Sequence, residues 1–275
     1  MNNATWNNYL ALTWDKYLPP IRPFPEELDI IKKYISVFID ENLRKPDVLV
    51  LGSTPEFRDI LFEYEIMPVV VDFSKDNYEG MSALVRNRGK EVFIKSDWME
   101  MEKCIGQNKF DFILSEAAFN VVSRDLAKKL YEICFGLLKD KGIMLIKEWI
   151  RFSNEKIELG KMLAEYRKSI NSRGFYSHLC IPLILHFYDY NNEKIVLKEF
   201  DYRLKKLYEA AVITSKEWET ISIHGYQNVD LQLYIPQISD FLNDMSLGGR
   251  LVNMHVIDKP NAQYHPIFVY GRNDL

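Results

Sequence analysis

From Pro46 to Ile150 the chain repeats one pattern, a short apolar run rich in β-branched residues followed by a longer amphipathic stretch. Few architectures accommodate it. Strands that are apolar throughout need cover on both faces, and each parallel crossover needs a helix-length connection. The pattern therefore predicts βα units around a doubly wound, mostly parallel sheet of the α/β class. Strands are expected over Asp47–Leu51, Pro68–Asp72, Glu91–Lys95, Phe110–Leu114 and Gly142–Trp149, and helices over Glu56–Glu65, Lys75–Asn87 and Arg124–Lys139. The LLKDKG stretch reads as a helix end, with cationic side chains at the C-terminal dipole and Gly142 as a left-handed cap. Two further apolar runs, Leu251–Ile257 and Pro266–Tyr270, flank DKPNAQYH and predict an antiparallel hairpin that completes a seven-stranded sheet.

Around this core the chain divides into four parts: an N-terminal helical arm (1–45), the βα core (46–150), a helical insertion (151–250) and the closing hairpin (251–275). Pro19, Pro20, Pro23 and Pro25 forbid a helix before Glu26 and favour an extended connector, after which a helix runs to about Asn42. In the insertion, helices are expected over Asn154–Ser172, Glu199–Ala211 and Ser215–Ile221. With 35 Lys and Arg against 39 Asp and Glu the net charge is -4, so the balance offers nothing to a phosphate backbone, and nucleic acid is not an expected partner. Cys104, Cys134 and Cys180 form neither a disulfide framework nor a CxxC pair. The start has no basic, apolar leader and no window reaches the ~18 apolar residues of a membrane span; the richest run, Leu179–Phe187, contains Pro182. A soluble, cytoplasmic protein without a membrane partner is the expectation, with room for a homo-oligomer.

Polar residues stand at four strand ends. DVLVLGSTPEFR joins an apolar strand to a helix through Gly52, Ser53, Thr54 and Pro55, and open parallel sheets bind ligands at such carboxyl ends. The turn is neither GxGxxG nor a Walker loop, so it lacks the array of N–H groups that holds a diphosphate, and NAD(P) or a nucleoside triphosphate is disfavoured. Asp72, followed by Phe73, ends the second strand 20 residues beyond Gly52, a spacing that suits a carboxylate on ribose hydroxyls. Asp97 and Trp98 place an acceptor beside a flat ring at the third strand, fit for an adenine, and Ser115 and Glu116 reach the same edge from the fourth.

With these residues the chain resembles the class I S-adenosylmethionine-dependent methyltransferases over Pro46 to Ile150, and HPIFVYG matches their antiparallel last strand. The resemblance implies a Rossmann-like fold and S-adenosylmethionine as cofactor, with the methionine portion at the Gly52 loop, ribose on Asp72 and adenine framed by Asp97 and Trp98. LGSTPEFR, SDWMEM and FNVV look like a bacterial subgroup whose arm carries a W…PP.RP pattern, matched by Trp14, Pro19, Pro20, Arg22 and Pro23. Where the subgroup tends to have GDGSFN, this chain reads SEAAFN, which keeps a carboxylate, Glu116, near the sulfonium. Two functions are then expected in order: methyl transfer to a small-molecule acceptor, and, because of the altered loop, a catalytically inactive cofactor-binding scaffold subunit.

The acceptor side has weaker markers. Trp14, Tyr17 and Arg22 suggest an arm that closes over the ligand, the aromatics excluding water and Arg22 gripping a carboxylate, with Trp6 and Tyr9 as further arm aromatics. Of five histidines, none has metal-ligand spacing, and His224 is the one with a reading as general base. No metal is expected and no catalytic group is assigned.

Overall fold

The computed structural model describes residues 11, 13–168, 175–222, 226 and 230–273. Seven strands form one sheet: β1 (Val48–Leu51), β2 (Val69–Asp72), β3 (Val92–Lys95), β4 (Phe110–Glu116), β5 (Leu138–Lys147), β8 (Gly249–His255) and β9 (Ile267–Arg272), in the order β3-β2-β1-β4-β5-β9-β8. The first five are parallel, and β9 enters antiparallel between β5 and β8. This is the doubly wound sheet with a closing hairpin that the apolar pattern predicts. The strand alternation divides the core: Leu49, Leu51, Val71, Ile113, Met144 and Ile146 face one helical layer, while Val48, Val50, Val70, Phe112, Leu114 and Leu145 face the other.

On the second face lie α1 (Pro25–Asn42) and α2 (Pro55–Glu63), contributing Ile31, Ile35, Phe57, Ile60 and Leu61. Both begin with a proline in the first turn, where its missing N–H costs nothing. In α1 the Glu27 carboxylate also accepts the Phe24 N–H at 2.8 Å, closing the helix start. The strand β2 leads into α3 (Lys75–Ser82), five residues shorter than expected, and β3 leads through a turn into α4 (Met101–Ile105). On the first face α5 (Arg124–Leu137) packs Leu130, Cys134 and Leu137 on the sheet.

The expected cap at Gly142 is not there. The helix ends at Leu137, Leu138 is already extended, and Gly142 lies inside β5. A Cβ on it would sit 2.8 Å from the Phe110 carbonyl, so glycine there serves close strand approach beside an irregular register.

The region after β5 holds α6 (Leu159–Lys168), α7 (Phe175–Phe187), α8 (Leu197–Glu209) and α9 (Ser215–Ser222), with a two-stranded sheet of β6 (Ile195–Val196) and β7 (Gln232–Leu233). Leu179, Leu183, Ile184, Phe200, Leu204 and Ile221 give it an apolar core of its own, which Tyr17 of the arm and Trp149 join. The apolar run with Pro182 is thus a buried helix, and among the described residues no helix is long and apolar enough to cross a membrane. The last helix of the region, α10 (Ile238–Ser246), instead sends Phe241 and Met245 into the sheet's first face.

Candidate active site

The strand order reverses direction between β1 and β4, where Leu51 pairs with Ser115, and connections leave their carboxyl ends toward opposite faces. A cavity opens there, with about 990 Å³ of empty space including the solvent at its mouth, within the range of small-molecule sites. Strand ends supply its floor, the arm supplies Trp14, Tyr17 and Ile21, and the insertion supplies Ile184, Leu197, Tyr226, Leu231 and Leu233.

At the β1 end Gly52 takes φ +79°, a conformation that favours glycine, and its N–H donates to the Val71 carbonyl at 2.9 Å. Ser53 and Thr54 follow, both buried and both lining the cavity. Asp72 is 2% exposed, and its carboxylate accepts from Ser53 Oγ at 2.6 Å, Asn77 Nδ2 at 2.9 Å and the Ser74 N–H at 2.9 Å. Burial raises its pKa, and the three donors oppose that rise. Trp98 is pinned by its indole N–H to the Val71 carbonyl at 3.0 Å, with the Phe73 ring edge-on at 6.4 Å, and both rings line the cavity. Gly52, Ser53, Thr54, Asp72, Phe73 and Trp98 therefore meet in one place.

Two of the expected cofactor residues stand differently. Asp97 lies outside the cavity lining, and its Oδ1 accepts the Met99 N–H at 3.0 Å, capping the turn that positions Trp98. Ser115 is fully buried beneath the floor. Sequence reasoning passed over Asn77, which lines the cavity, donates to Asp72 and keeps its Oδ1 buried without a partner. Its signal is position: five residues after Asp72, in the first turn of the helix that Asp72 leads into.

At the β4 end Glu116 lines the cavity above a buried charge array. Its Oε1 accepts from Lys147 Nζ at 2.8 Å, whereas Oε2 is buried without a partner. Lys147, 3% exposed, also donates to the Pro20 carbonyl of the arm and stands 3.7 Å from Glu27 Oε2. Burial raises Glu116 to about 8 despite Lys147. Desolvation works against the Lys147 charge, but Glu116 and Glu27 outweigh it and hold its pKa up. Next to it, burial lifts Glu148 well above the carboxylate range and pushes His265 well below the imidazole range. Neither Lys147 nor Glu27 has a sequence signature; their meeting depends on where α1 lies across the sheet.

The arm is latched to α2. Arg22 holds Glu56 through Nε at 2.8 Å, and the Trp14 indole N–H is shared between both Glu56 oxygens at 3.1 Å. Arg22 thus grips a carboxylate of its own chain instead of facing the cavity, while Trp14 and Tyr17 do line it, Tyr17 stacking on Tyr226 at 6.4 Å. His224, Trp6 and Tyr9 lie outside the described residues. Among the described residues no three His, Cys, Asp or Glu gather as a metal site.

No protein-family model matches this chain, and no curated protein does. Solved structures match over nearly its whole length. The CcbJ methyltransferase of Streptomyces caelestis is 12% identical with a TM-score of 0.57, covering 98% of this chain and 99% of that one. The N-methyltransferase NodS of Bradyrhizobium japonicum, solved with S-adenosylhomocysteine, is 7% identical with a TM-score of 0.50, covering 98% and 100%. A Rhodobacter sphaeroides protein provisionally named a zinc-dependent alcohol dehydrogenase is 17% identical with a TM-score of 0.59, covering 99% and 100%. At such identities the likeness is one of fold. The chain has the Rossmann-like fold of the class I S-adenosylmethionine-dependent methyltransferases, with the antiparallel strand β9 inserted beside β5.

Proposed function

We propose that this protein transfers the methyl group of S-adenosylmethionine to a small-molecule acceptor. The observation that carries the reading is the convergence, at the switch point of the sheet, of the Gly52 turn, the buried Asp72 carboxylate and the Trp98 ring on one cavity. The residues fit that cofactor. Asp72, ringed by Ser53, Ser74 and Asn77, would accept ribose hydroxyls, with the unpartnered Asn77 Oδ1 as a further acceptor. Trp98 and Phe73 would bracket the adenine, and the Gly52 to Thr54 turn would take the methionine portion. When bound, the cofactor supplies an electrophilic methyl group on a positively charged sulfur; this chain positions the two reactants and excludes water. The single-glycine turn supports this choice over a dinucleotide, and a cavity within the range of small-molecule sites supports a small acceptor.

The altered SEAAFN loop also supports turnover more than a silent scaffold. Ala117 takes φ +54°, the left-handed region where the resembling subgroup carries glycine, so the loop keeps its glycine-type shape without the glycine. Its N–H bonds the Lys147 carbonyl at 2.8 Å and its carbonyl accepts from the Asn120 N–H at 3.2 Å.

Calorimetric titration with S-adenosylhomocysteine tests the reading. Saturable binding is expected, weakened at least tenfold, about 1.4 kcal/mol, by Asp72→Ala. Heat from NAD(H) and none from S-adenosylhomocysteine would overturn it.

A further inference from the structure

The cavity has two chemically unlike halves. Hydrogen-bonding groups gather around Asp72, whereas the half under the insertion is walled by Ile184, Leu197, Leu231, Leu233, Tyr226 and Trp149. Asn120, on that wall, is already engaged on both sides of its amide: Nδ2 donates to the Trp149 and Tyr234 carbonyls at 3.0 and 2.8 Å, and Oδ1 accepts the Trp149 N–H at 2.8 Å. The Trp14 indole N–H is held by Glu56. Of the two lining carboxyl groups, Asp72 has both oxygens hydrogen-bonded, and Glu116 has one oxygen, Oε2, without a partner.

We propose that the acceptor is an uncharged, flat, largely apolar molecule with one hydroxyl or amine that meets Glu116 Oε2, and that Glu116 receives the proton this group sheds. The inference rests on the methyl-transfer reading of the same cavity. A charge placed against that wall would lose its hydration, and none of Ile184, Leu197, Leu231, Leu233, Tyr226 and Trp149 is an ion that could replace it. A single hydrogen-bonding group, in contrast, finds an open partner in Glu116 Oε2. In the transfer the heteroatom lone pair forms the new bond to the methyl carbon, the carbon–sulfur bond breaks with its pair left on sulfur, and the heteroatom proton passes to Glu116. The proton then leaves to solvent with the product.

The groups facing Glu116 suit that duty. Lys147 on β5 holds Oε1 in place and is itself fixed by Glu27 of α1 and the Pro20 carbonyl, so it is a positioning residue. Burial, and after it the negative field of Glu27 and of Glu56 of α2, raises the proton affinity of Glu116, against Lys147 which lowers it. His265 is close enough to Lys147 to feel its charge but is held neutral by burial.

The test follows quenching of tryptophan fluorescence, since Trp14, Trp98 and Trp149 line the cavity, with the protein saturated by S-adenosylhomocysteine. The titrants are 2-naphthol and its charged analogues 2-naphthoate and 2-naphthyltrimethylammonium. Naphthol is expected to bind at least tenfold more tightly than either ion, and Glu116→Leu to weaken it by a similar factor. Should Glu116→Leu fail to fold, Leu233→Asp, which puts a charge into the apolar wall, is expected to abolish naphthol binding. Proton acceptance has its own readout: naphthol should bind more tightly as pH rises through about 8, where Glu116 ionises and can accept from the naphthol hydroxyl, and Glu116→Gln should show no such rise. An ion binding as tightly as naphthol, or a rise that survives Glu116→Gln, would overturn the proposal. If S-adenosylhomocysteine does not bind, the methyl-transfer reading falls, and the naphthol series on the protein alone still decides the character of the cavity.

Discussion

Asp72 and Glu116 are both acidic residues at strand ends, and burial treats them differently. Three donors surround Asp72, while Glu116 has one ammonium on one oxygen and nothing on the other. The carboxyl of Glu116 therefore moves from 4.5 to about 8. Between those values the folded protein holds a proton that the unfolded chain has lost, so this group makes stability fall as pH rises through the window; its contribution is greatest on the acid side. Glu148, also raised by burial, acts in the same direction. His265, held neutral by burial, works the other way at pH values below the ordinary imidazole range, so urea unfolding should show the decline above that range, and Glu116→Gln, which cannot titrate, should flatten it; an unchanged slope in the variant would remove Glu116 as its source. For catalysis the sign is opposite, because a proton acceptor works when ionised: the rate should climb with pH toward about 8 and level off above it, and Glu116→Gln should lose that limb. A bound sulfonium, being positive, would draw the limb to lower pH.

Among the elements, the loop after β4 and the arm carry the clearest expectations. Ala117 holds a left-handed backbone that disfavours any side chain by roughly 1–2 kcal/mol. Ala117→Gly should release this strain but also free the unfolded chain, leaving a net gain of up to about 1 kcal/mol in thermal or urea unfolding. A destabilised variant would show that the Ala117 methyl packs usefully in the cavity wall it lines. The arm is bound at three points: Glu56 to Arg22 and Trp14, Lys147 to Pro20, and Tyr17 to Tyr226. We propose that it serves as a lid. Removing residues 1–18 takes away Trp14 and Tyr17 but leaves α1 and its capping glutamate; the truncated protein should fold and bind S-adenosylhomocysteine or the naphthol probe at least tenfold more weakly, about 1.4 kcal/mol. Full affinity in a folded truncation would count against a lid.

At the scale of the whole molecule, ligand binding and stability are linked. Three parts of the chain wall the cavity, so a cofactor analogue bound there should stabilise the folded state by about 2.7 kcal/mol at a hundredfold excess over its Kd, seen as a rise in Tm that Asp72→Ala reduces by half or more. A scaffold subunit would show the same rise without any methylated product, which makes turnover on neutral aromatic acceptors the discriminating measurement. Much of this architecture is legible in the chain itself. Runs such as VLVL and VVVD can only be strands buried on both faces, and their spacing leaves room for nothing but crossover helices, so sheet class and strand-end residues follow from local chemistry. Gly52, Asp72 and Trp98 were readable for that reason: Gly52 directly follows β1, Asp72 ends β2 and Trp98 stands three residues past β3. The remainder depended on packing. A buried glutamate in α1 and a lysine ending β5 carry no pattern that says they meet, and whether Arg22 faces a ligand or Glu56, or Gly142 caps a helix or fits against Phe110, is settled by which surfaces come together. Periodicity reports the environment of each element on its own; contacts between residues more than a hundred positions apart, such as Lys147 with Pro20, are set by how the elements close on one another.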